Sequence, residues 1–594
     1  MASGQGRFFG RALATSFAAA LVVASCGGTS SKVGPTSGID SGGPGGSYGD
    51  SPSFVSPPPG DDSSVGSFGD GSGGGLADSS RFVPPDGGGL VGCQLYSKLC
   101  GGTCTPITTD PNNCGDCGKV CTNAQICSGG TCVPASKGCI PAPQGGDPAL
   151  KVCGRSCVDS LNDSSNCGSP TGTGACGHKC AATEGCVNGA CVPKLPLNPT
   201  TPECGKECYR DLAKTTFRWA LCACGNVNLT QQLFTDAYDS TKGPYPPAPL
   251  QVGGGVGVNG DFTGGGGQVT IGGALWCAGP GGVTTASATT VSQEVHVANA
   301  LNGRGPTTLR DNAWVGGNVS GAVAITKTLY ASPNATVAGS VTSAMTVRQP
   351  VMVAPPCDCS DTALLGKTID TIVAEHATNN DNAFVGLNAG ALATPSATSI
   401  RLDLPCGRYY LTGINQPGTS VTIFAHGQTS LFIQGDVVGA TVSFVLDPTA
   451  EFDTFITGTI KTSGQFIVGS PNYPALSRTY IGGSAPLDLL GEAGRTAGNL
   501  YMGKTPLNVS SHLVLYGGLI VNSLANQENI EIHYDRAVLD VPACAPPPPM
   551  CGTCKDCGNQ ACINGSCNTG CMTSDQCCAP LLCVQGTCVA VGPK

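Results

Sequence analysis

Between residues 250 and 540 apolar and polar positions alternate in short runs, and one five-residue unit recurs: apolar, any, Gly, any, apolar. It reads Val258-Asn-Gly-Asp-Phe262, Ile271-Gly-Gly-Ala-Leu275, Val315-Gly-Gly-Asn-Val319 and Val337-Ala-Gly-Ser-Val341. It returns as Ile433-Gln-Gly-Asp-Val437, Ile456-Thr-Gly-Thr-Ile460, Ile481-Gly-Gly-Ser-Ala485 and Tyr516-Gly-Gly-Leu-Ile520, with Val297-Ala-Asn-Ala-Leu301 as a degenerate copy. Gly317 and Gly339 lie 22 positions apart, Gly435 and Gly458 lie 23 apart, and Gly458 and Gly483 lie 25 apart. Alternation aims every second side chain at one face of a strand, and a repeat in the low twenties is the mark of stacked coils. The fold class expected is mainly β, a β-solenoid over 249–541 with Val, Ile and Leu stacked from coil to coil. The glycines permit a bend or bulge at the corners. A β-sandwich also alternates, but it does not need the same glycine at near-constant spacing.

One stretch breaks the alternation. After Cys357-Asp-Cys359-Ser360, the residues Leu364, Leu365, Ile369, Ile372 and Val373 fall at helical spacing, with Ser360 as N-cap. A helical insert near 360–376 is expected to pack on, or cap, the solenoid, tied down by Cys357, Cys359 and Cys406. A second short helical piece is expected in a linker spanning 195–248. There Cys204, Cys208, Cys222 and Cys224 bracket 209–221 and close a small hairpin or loop with two disulfides.

The N-terminus follows another grammar. Arg7 and Arg11 flank a short apolar stretch from Ala12 to Val23, and small residues lead into Cys26. This is a secretory signal over 1–25, and it is too short for a stable membrane span, which needs ~20 apolar residues. The run Val23-Ala24-Ser25-Cys26 resembles the lipobox of bacterial lipoproteins. The resemblance implies that Cys26 becomes the mature N-terminus and carries lipid. Gly27, where an Asp would favour inner-membrane retention, suggests the outer membrane of a Gram-negative cell. Residues 26–92 are rich in Gly, Ser, Pro and Asp and cannot bury enough surface to offset their ordering entropy. They read as a disordered tether with an end-to-end distance of roughly 40–50 Å.

Cysteine dominates the rest. The chain has 36. A first module, 93–136, carries Cys93, Cys100, Cys104, Cys114, Cys117, Cys121, Cys127 and Cys132. A second, 137–194, carries Cys139, Cys153, Cys157, Cys167, Cys176, Cys180, Cys186 and Cys191. Five of their seven spacings agree, and Asn113-Cys114-Gly115 corresponds to Asn166-Cys167-Gly168. One small stapled fold is used twice, with 105 connectivities open for eight cysteines. A third module, 542–594, holds Cys551, Cys554, Cys557, Cys562, Cys567, Cys571, Cys577, Cys578, Cys583 and Cys588. Cys114-x2-Cys117 has the spacing of half a zinc ribbon. The second copy widens that pair to Cys167-x8-Cys176, and His178 is the only histidine in either copy. Disulfides in an oxidising compartment are therefore expected, with no metal and no cofactor. Setting Cys26 aside leaves an odd number. The unpaired thiol is expected among Cys277, Cys357, Cys359, Cys406 and Cys544, with Cys544 favoured.

Charged residues make up 12% of the chain and aromatics 5%, with 88 glycines, which excludes a coiled coil or ordinary helical bundle. The net charge of −9 argues against a nucleic-acid binder, which needs a basic face. The two N-terminal modules, with their C-G-x-C and N-C-G elements, resemble Cys-rich repeats of myxobacterial surface proteins and plant Stig1-type modules. That resemblance implies an extracellular module without catalysis. The end of the third module resembles knot-like domains of the dickkopf type. Leu404-Pro-Cys406-Gly-Arg-Tyr-Tyr410, Gly469-Ser-Pro471, Arg478-Thr-Tyr480-Ile-Gly-Gly483 and Gly498-Asn-Leu500-Tyr501 are similar to an uncharacterised domain of predicted myxobacterial lipoproteins. This implies a right-handed β-helix-like fold and no activity.

A β-helix raises the option of a polysaccharide-active enzyme, which works with clustered carboxylates. Asp447, Glu451 and Asp453 are the best candidates, and Glu451 and Asp453 share a face only if one strand holds both. His426-Gly427 is a weak element. None of His178, His296, His376, His426, His512 and His533 sits in a nucleophile motif, and His376 is expected as a cap or surface residue. The expected function is that of a non-enzymatic, lipid-anchored envelope or surface protein. Its solenoid would serve adhesion, with a polysaccharide or surface protein as ligand and the membrane reached through Cys26. A carbohydrate-active enzyme and a purely structural envelope protein are the alternatives.

Overall fold

The computed structural model describes residues 97–542 with short internal gaps, and four short strands between 561 and 590. The expectations for the signal segment, Cys26, the tether, Cys93, Cys176, Cys544 and the pairing within the third module lie outside the described residues.

Three-residue strands build most of the N-terminal coils. Val256–Val258, Phe262–Gly264 and Val269–Ile271 make one coil, and Leu275–Cys277, Val283–Thr285 and Thr289–Val291 make the next. The outer two residues of each strand point inward and the middle one outward, as alternation requires. Parallel, in-register pairing stacks Val256, Leu275, Val295, Ala313 and Leu329 down the interior. The result is a β-solenoid of about thirteen coils.

The glycine unit is the corner. Val258 ends one strand and Phe262 opens the next, and Ile433/Val437 and Ile456/Ile460 do the same. Glycine is required at several corners by crowding between coils rather than by a bend. A Cβ on Gly458 would sit 2.4 Å from the carbonyl carbon of Gly435, and one on Gly483 would sit 2.4 Å from the oxygen of Gly458. Only Gly435 of this stack has a left-handed backbone, φ +91°.

Coil order departs from chain order. The first coil, Leu221–Ala223, Val227–Leu229 and Leu233–Tyr238, lies in the middle of the stack. Leu221–Ala223 pairs on one side with Val256–Val258 and on the other with Leu519–Asn526. From it the chain winds outward to Thr342–Arg348, returns along the outside, re-enters at Ile400–Leu404 and winds back to Ile530–Asp535 against the first coil. The segment 195–248, expected as a linker, is therefore partly solenoid from Leu221 onward. The expected helical piece is present as α1 (Arg210–Thr216).

The return path, 349–399, is a strap. From Arg348 in the last N-terminal coil it must reach Cys357, which is bonded to Cys222 in the first coil. That is six coil steps, about 29 Å at ~4.8 Å each, and nine extended residues at ~3.3 Å span about 30 Å. Three short helices follow: α2 (Asp361–Leu365), α3 (Ile369–His376) and α4 (Asn382–Val385). The single helix expected near 360–376 is broken because Gly366 takes φ +68° and ends α2. Ser360 caps α2 as expected, accepting from the Ala363 N–H. Tyr501 donates to Asp361 at 2.9 Å, His376 stacks on Phe432 with centroids 3.6 Å apart, and Asn382 Nδ2 donates to the Tyr410 carbonyl at 2.7 Å. The strap thus crosses the C-terminal coils from the middle of the stack to its far end. His376 is a buried packing residue, not a surface cap, since it sits on the inner side of the strap against an aromatic rung.

The cysteines of 204–224 correct the expectation of local pairing. Cys222 bonds Cys357, Cys224 bonds Cys359, and Cys204 bonds Cys406. These bridges staple strap to first coil and N-terminal segment to C-terminal coils. Cys208 is also disulfide-bonded. In the modules, Cys114–Cys127 and Cys121–Cys132 correspond to Cys167–Cys186 and Cys180–Cys191, and Cys100–Cys117 and Cys139–Cys157 add one pair each. Cys114 and Cys117 are therefore in disulfides, not half of a metal site. Cys277 carries a free thiol. It faces inward between Val258 and Val297 in the core, and its Sγ lies 3.3 Å from the carbonyls of Gly260 and Gly282.

Candidate functional site

One face of the solenoid carries a ladder of outward residues, one per coil. In space it runs Tyr410, Phe432, Phe455, Tyr480, Tyr501, Ile520, Cys222, Gly257, Trp276, His296, Trp314, Tyr330 and Val347. Centroid spacings of 5.4 Å for Phe432–Phe455, 4.7 Å for Phe455–Tyr480, 4.1 Å for Trp276–His296 and 4.4 Å for His296–Trp314 show ring stacking at the coil repeat. The rings present their faces to each other and only their edges outward. Such a ladder locks coil register, and it turns the stacked ring faces toward one another rather than outward. In the C-terminal half the strap and α1 bury it, whereas Trp276, His296, Trp314 and Tyr330 stay half-exposed.

The expected carboxylates separate. Glu451 and Asp453 do share a face of one strand, Glu451–Ile456, but both are buried beneath α1. Arg478, fully buried one coil on, donates Nε to Asp453 Oδ1 at 2.5 Å and Nη2 to Oδ2 at 2.7 Å, and it also bonds Glu451. Arg210 of α1 donates to Glu451 Oε2 at 2.8 Å. Burial disfavours the Glu451 charge, yet the two arginines hold its carboxyl below the ordinary value. This is an ion-pair clamp docking α1 on the coils. Asp447 lies apart from it, half-exposed and hydrogen-bonded to His426 Nδ1. No shared substrate position joins the three.

A second buried cluster has no motif in the sequence. Asp236 of the first coil faces His533 of the last, at 2.9 Å from Nδ1, and accepts from Tyr245 at 2.5 Å. Burial works against the imidazolium, but Asp236 and Glu531 hold it, so His533 titrates above its ordinary value. The cluster closes the seam where the two halves meet.

The remaining faces of the N-terminal half carry outward hydroxyls and amides in register. Thr263, Thr284, Asn302 and Ser320 form one row, and Thr270, Thr290 and Thr308 form another. Both rows are half-exposed or exposed. They repeat at the coil spacing of ~4.8 Å.

These features define a disulfide-stapled β-solenoid protein with small cystine modules. Residues 358–541 match a family described as a domain of unknown function (DUF7305), and residues 87–135 match the stigma-specific STIG1-like protein family. The first match begins beside Cys357 and takes in the strap helices and the C-terminal coils, leaving the N-terminal coils outside. The second covers the first module only, whereas the second module repeats its disulfide order. No curated protein and no solved structure matches the chain.

Proposed function

We propose that the chain is a non-enzymatic, lipid-anchored protein of the cell envelope that displays its solenoid for adhesion, touching polysaccharide or surface matrix. The observation that carries this reading is the pair of in-register hydroxyl and amide rows on the N-terminal coils. A linear array of small polar side chains at constant spacing suits a polymer whose own groups repeat, because each added coil adds the same weak hydrogen bonds and the contacts multiply. The burial of Glu451 and Asp453 under α1 favours this reading over hydrolysis at those carboxylates. The test is retention of the full chain, carrying Cys26→Ser, on a panel of insoluble polysaccharides. Retention should fall at least tenfold when Thr284 and Thr290 are both replaced by Lys. Failure to be retained on every polymer in the panel, or retention indifferent to the rows, refutes it.

A further inference from the structure

A cavity of about 430 Å³ opens where the two cystine modules meet the C-terminal coils. The second module supplies most of its wall, from Cys157 to Ser165, and the first adds Thr109. Aligning Asn113 with Asn166 places Thr109 opposite Asn162, and both line the cavity. Each is followed by an aspartate that closes the same turn. Asp110 accepts from the Asn112 N–H and Asn113 Nδ2 at 2.8 Å each, and Asp163 accepts from the Ser165 N–H at 2.8 Å and Asn166 Nδ2 at 2.7 Å. The floor is the solenoid, with Asp403, His426 and Asp447 on neighbouring coils.

The second module is held there by a buried cation. Arg401, 2% exposed, donates to the carbonyls of Asn162 and Cys186, the latter at 2.8 Å, and to Asp403 Oδ1 at 2.6 Å. Its guanidinium lies 4.2 Å over the Phe424 ring. Lys194, at the module's exit, reaches the other Asp403 oxygen at 2.6 Å. The wall and floor are therefore set before any ligand arrives, which lowers the ordering cost of binding.

The cations around the cavity are matched internally. Lys194 and Arg401 pair with Asp403, and His426 pairs with Asp447. Between Asp447 and Asp403 the imidazole is held protonated, pushed up to about 9. An anionic ligand thus meets no unmatched cation, and four lining carboxylates, Asp159, Asp163, Asp403 and Asp447, outnumber the three cations. The rest of the lining brings polar side chains that both donate and accept: His426, Asp447, Ser164, Ser165, Ser470 and Asn472. The volume falls within the usual range of small-molecule sites.

We propose that this cleft is a binding site for a neutral, hydroxyl-rich sugar, one or two units of an uncharged glycan, gripped between the duplicated turns and the His426–Asp447 pair. The proposal rests on the polysaccharide reading above and adds a discrete site to the extended rows.

The test is calorimetric titration of the full chain carrying Cys26→Ser with soluble neutral oligosaccharides and with acidic ones. Three variants are compared: His426→Gln, Ser165→Tyr to fill the cavity, and Met352→Ser, exposed on the strap outside both the cleft and the rows. Melting temperatures confirm that each variant is folded. The expected result is binding of neutral oligosaccharides that weakens at least tenfold in His426→Gln and Ser165→Tyr and is unchanged in Met352→Ser. Binding indifferent to both cleft variants, or confined to acidic oligosaccharides, overturns the proposal. So does the absence of oligosaccharide binding, and retention on insoluble polymer then shows whether the row reading survives without it.

Discussion

The two C-x-C pairs that staple the strap close the same loop, and their removal should be strongly non-additive. Cys222–Cys357 and Cys224–Cys359 each span 135 residues. Closing a loop of that length in the unfolded chain is worth about 5 kcal/mol on the chain-entropy account. Once one bridge is closed, the second encloses only the few residues 222–224 and 357–359, and adds about 2 kcal/mol on the same relation. Removing either pair, as Cys222→Ala with Cys357→Ala or as Cys224→Ala with Cys359→Ala, should therefore cost about 2 kcal/mol. Removing both should cost about 7 kcal/mol, roughly 3 kcal/mol more than the sum of the singles. Urea unfolding followed by tryptophan fluorescence reads this directly, because all three tryptophans, Trp219, Trp276 and Trp314, lie on or beside the ladder the strap crosses. A combined loss equal to twice the single loss would contradict this, because the two bridges would then be acting on different loops.

Other expectations follow from buried charge and from the repeat. Arg478→Met strands Glu451 and Asp453 beneath α1 and should cost about 3–5 kcal/mol, and adding Glu451→Gln and Asp453→Asn should restore most of it in the same urea assay. His426 titrates at about 9 in the folded chain, above its unfolded value of about 6.5. The stabilisation it supplies is therefore complete below about pH 6.5 and lost as pH rises through about 9. With the ring 42% exposed, solvent screening reduces that contribution to about 1 kcal/mol, and His426→Gln should flatten the alkaline limb of the melting profile by that amount. Peptide mapping of the unreduced chain should find one pairing order in both N-terminal modules. The shared order predicts Cys93–Cys104 in the first and Cys153–Cys176 in the second, alongside the pairs described above. A different order in either copy would break the equivalence.

The solenoid was legible because its two signals are local. Alternation needs only neighbouring residues, and the corner glycines mark themselves by period. Coil order was not, since any coil with the same inward pattern offers a fitting edge. Only the seam contacts, such as Asp236 with His533, select the first coil as the meeting point of the halves. The long disulfides were missed for a related reason. Closeness in sequence pointed Cys204, Cys208, Cys222 and Cys224 at one another, yet Cys222 and Cys224 share a spacing with Cys357 and Cys359, and that match was the available clue. Glu451 and Asp453 were expected to share a face only if one strand held both, and the strand Glu451–Ile456 does. Its partner Arg478 stands 25 residues beyond Asp453, one coil period away, where a solenoid puts its next neighbour. The cleft depends on how the modules dock, and no spacing in the chain encodes that.

Outward display of the N-terminal coils for contact is directly testable on cells. Antibody raised against residues 256–348 should label intact cells as strongly as permeabilised ones. Labelling that appears only after permeabilisation would contradict it.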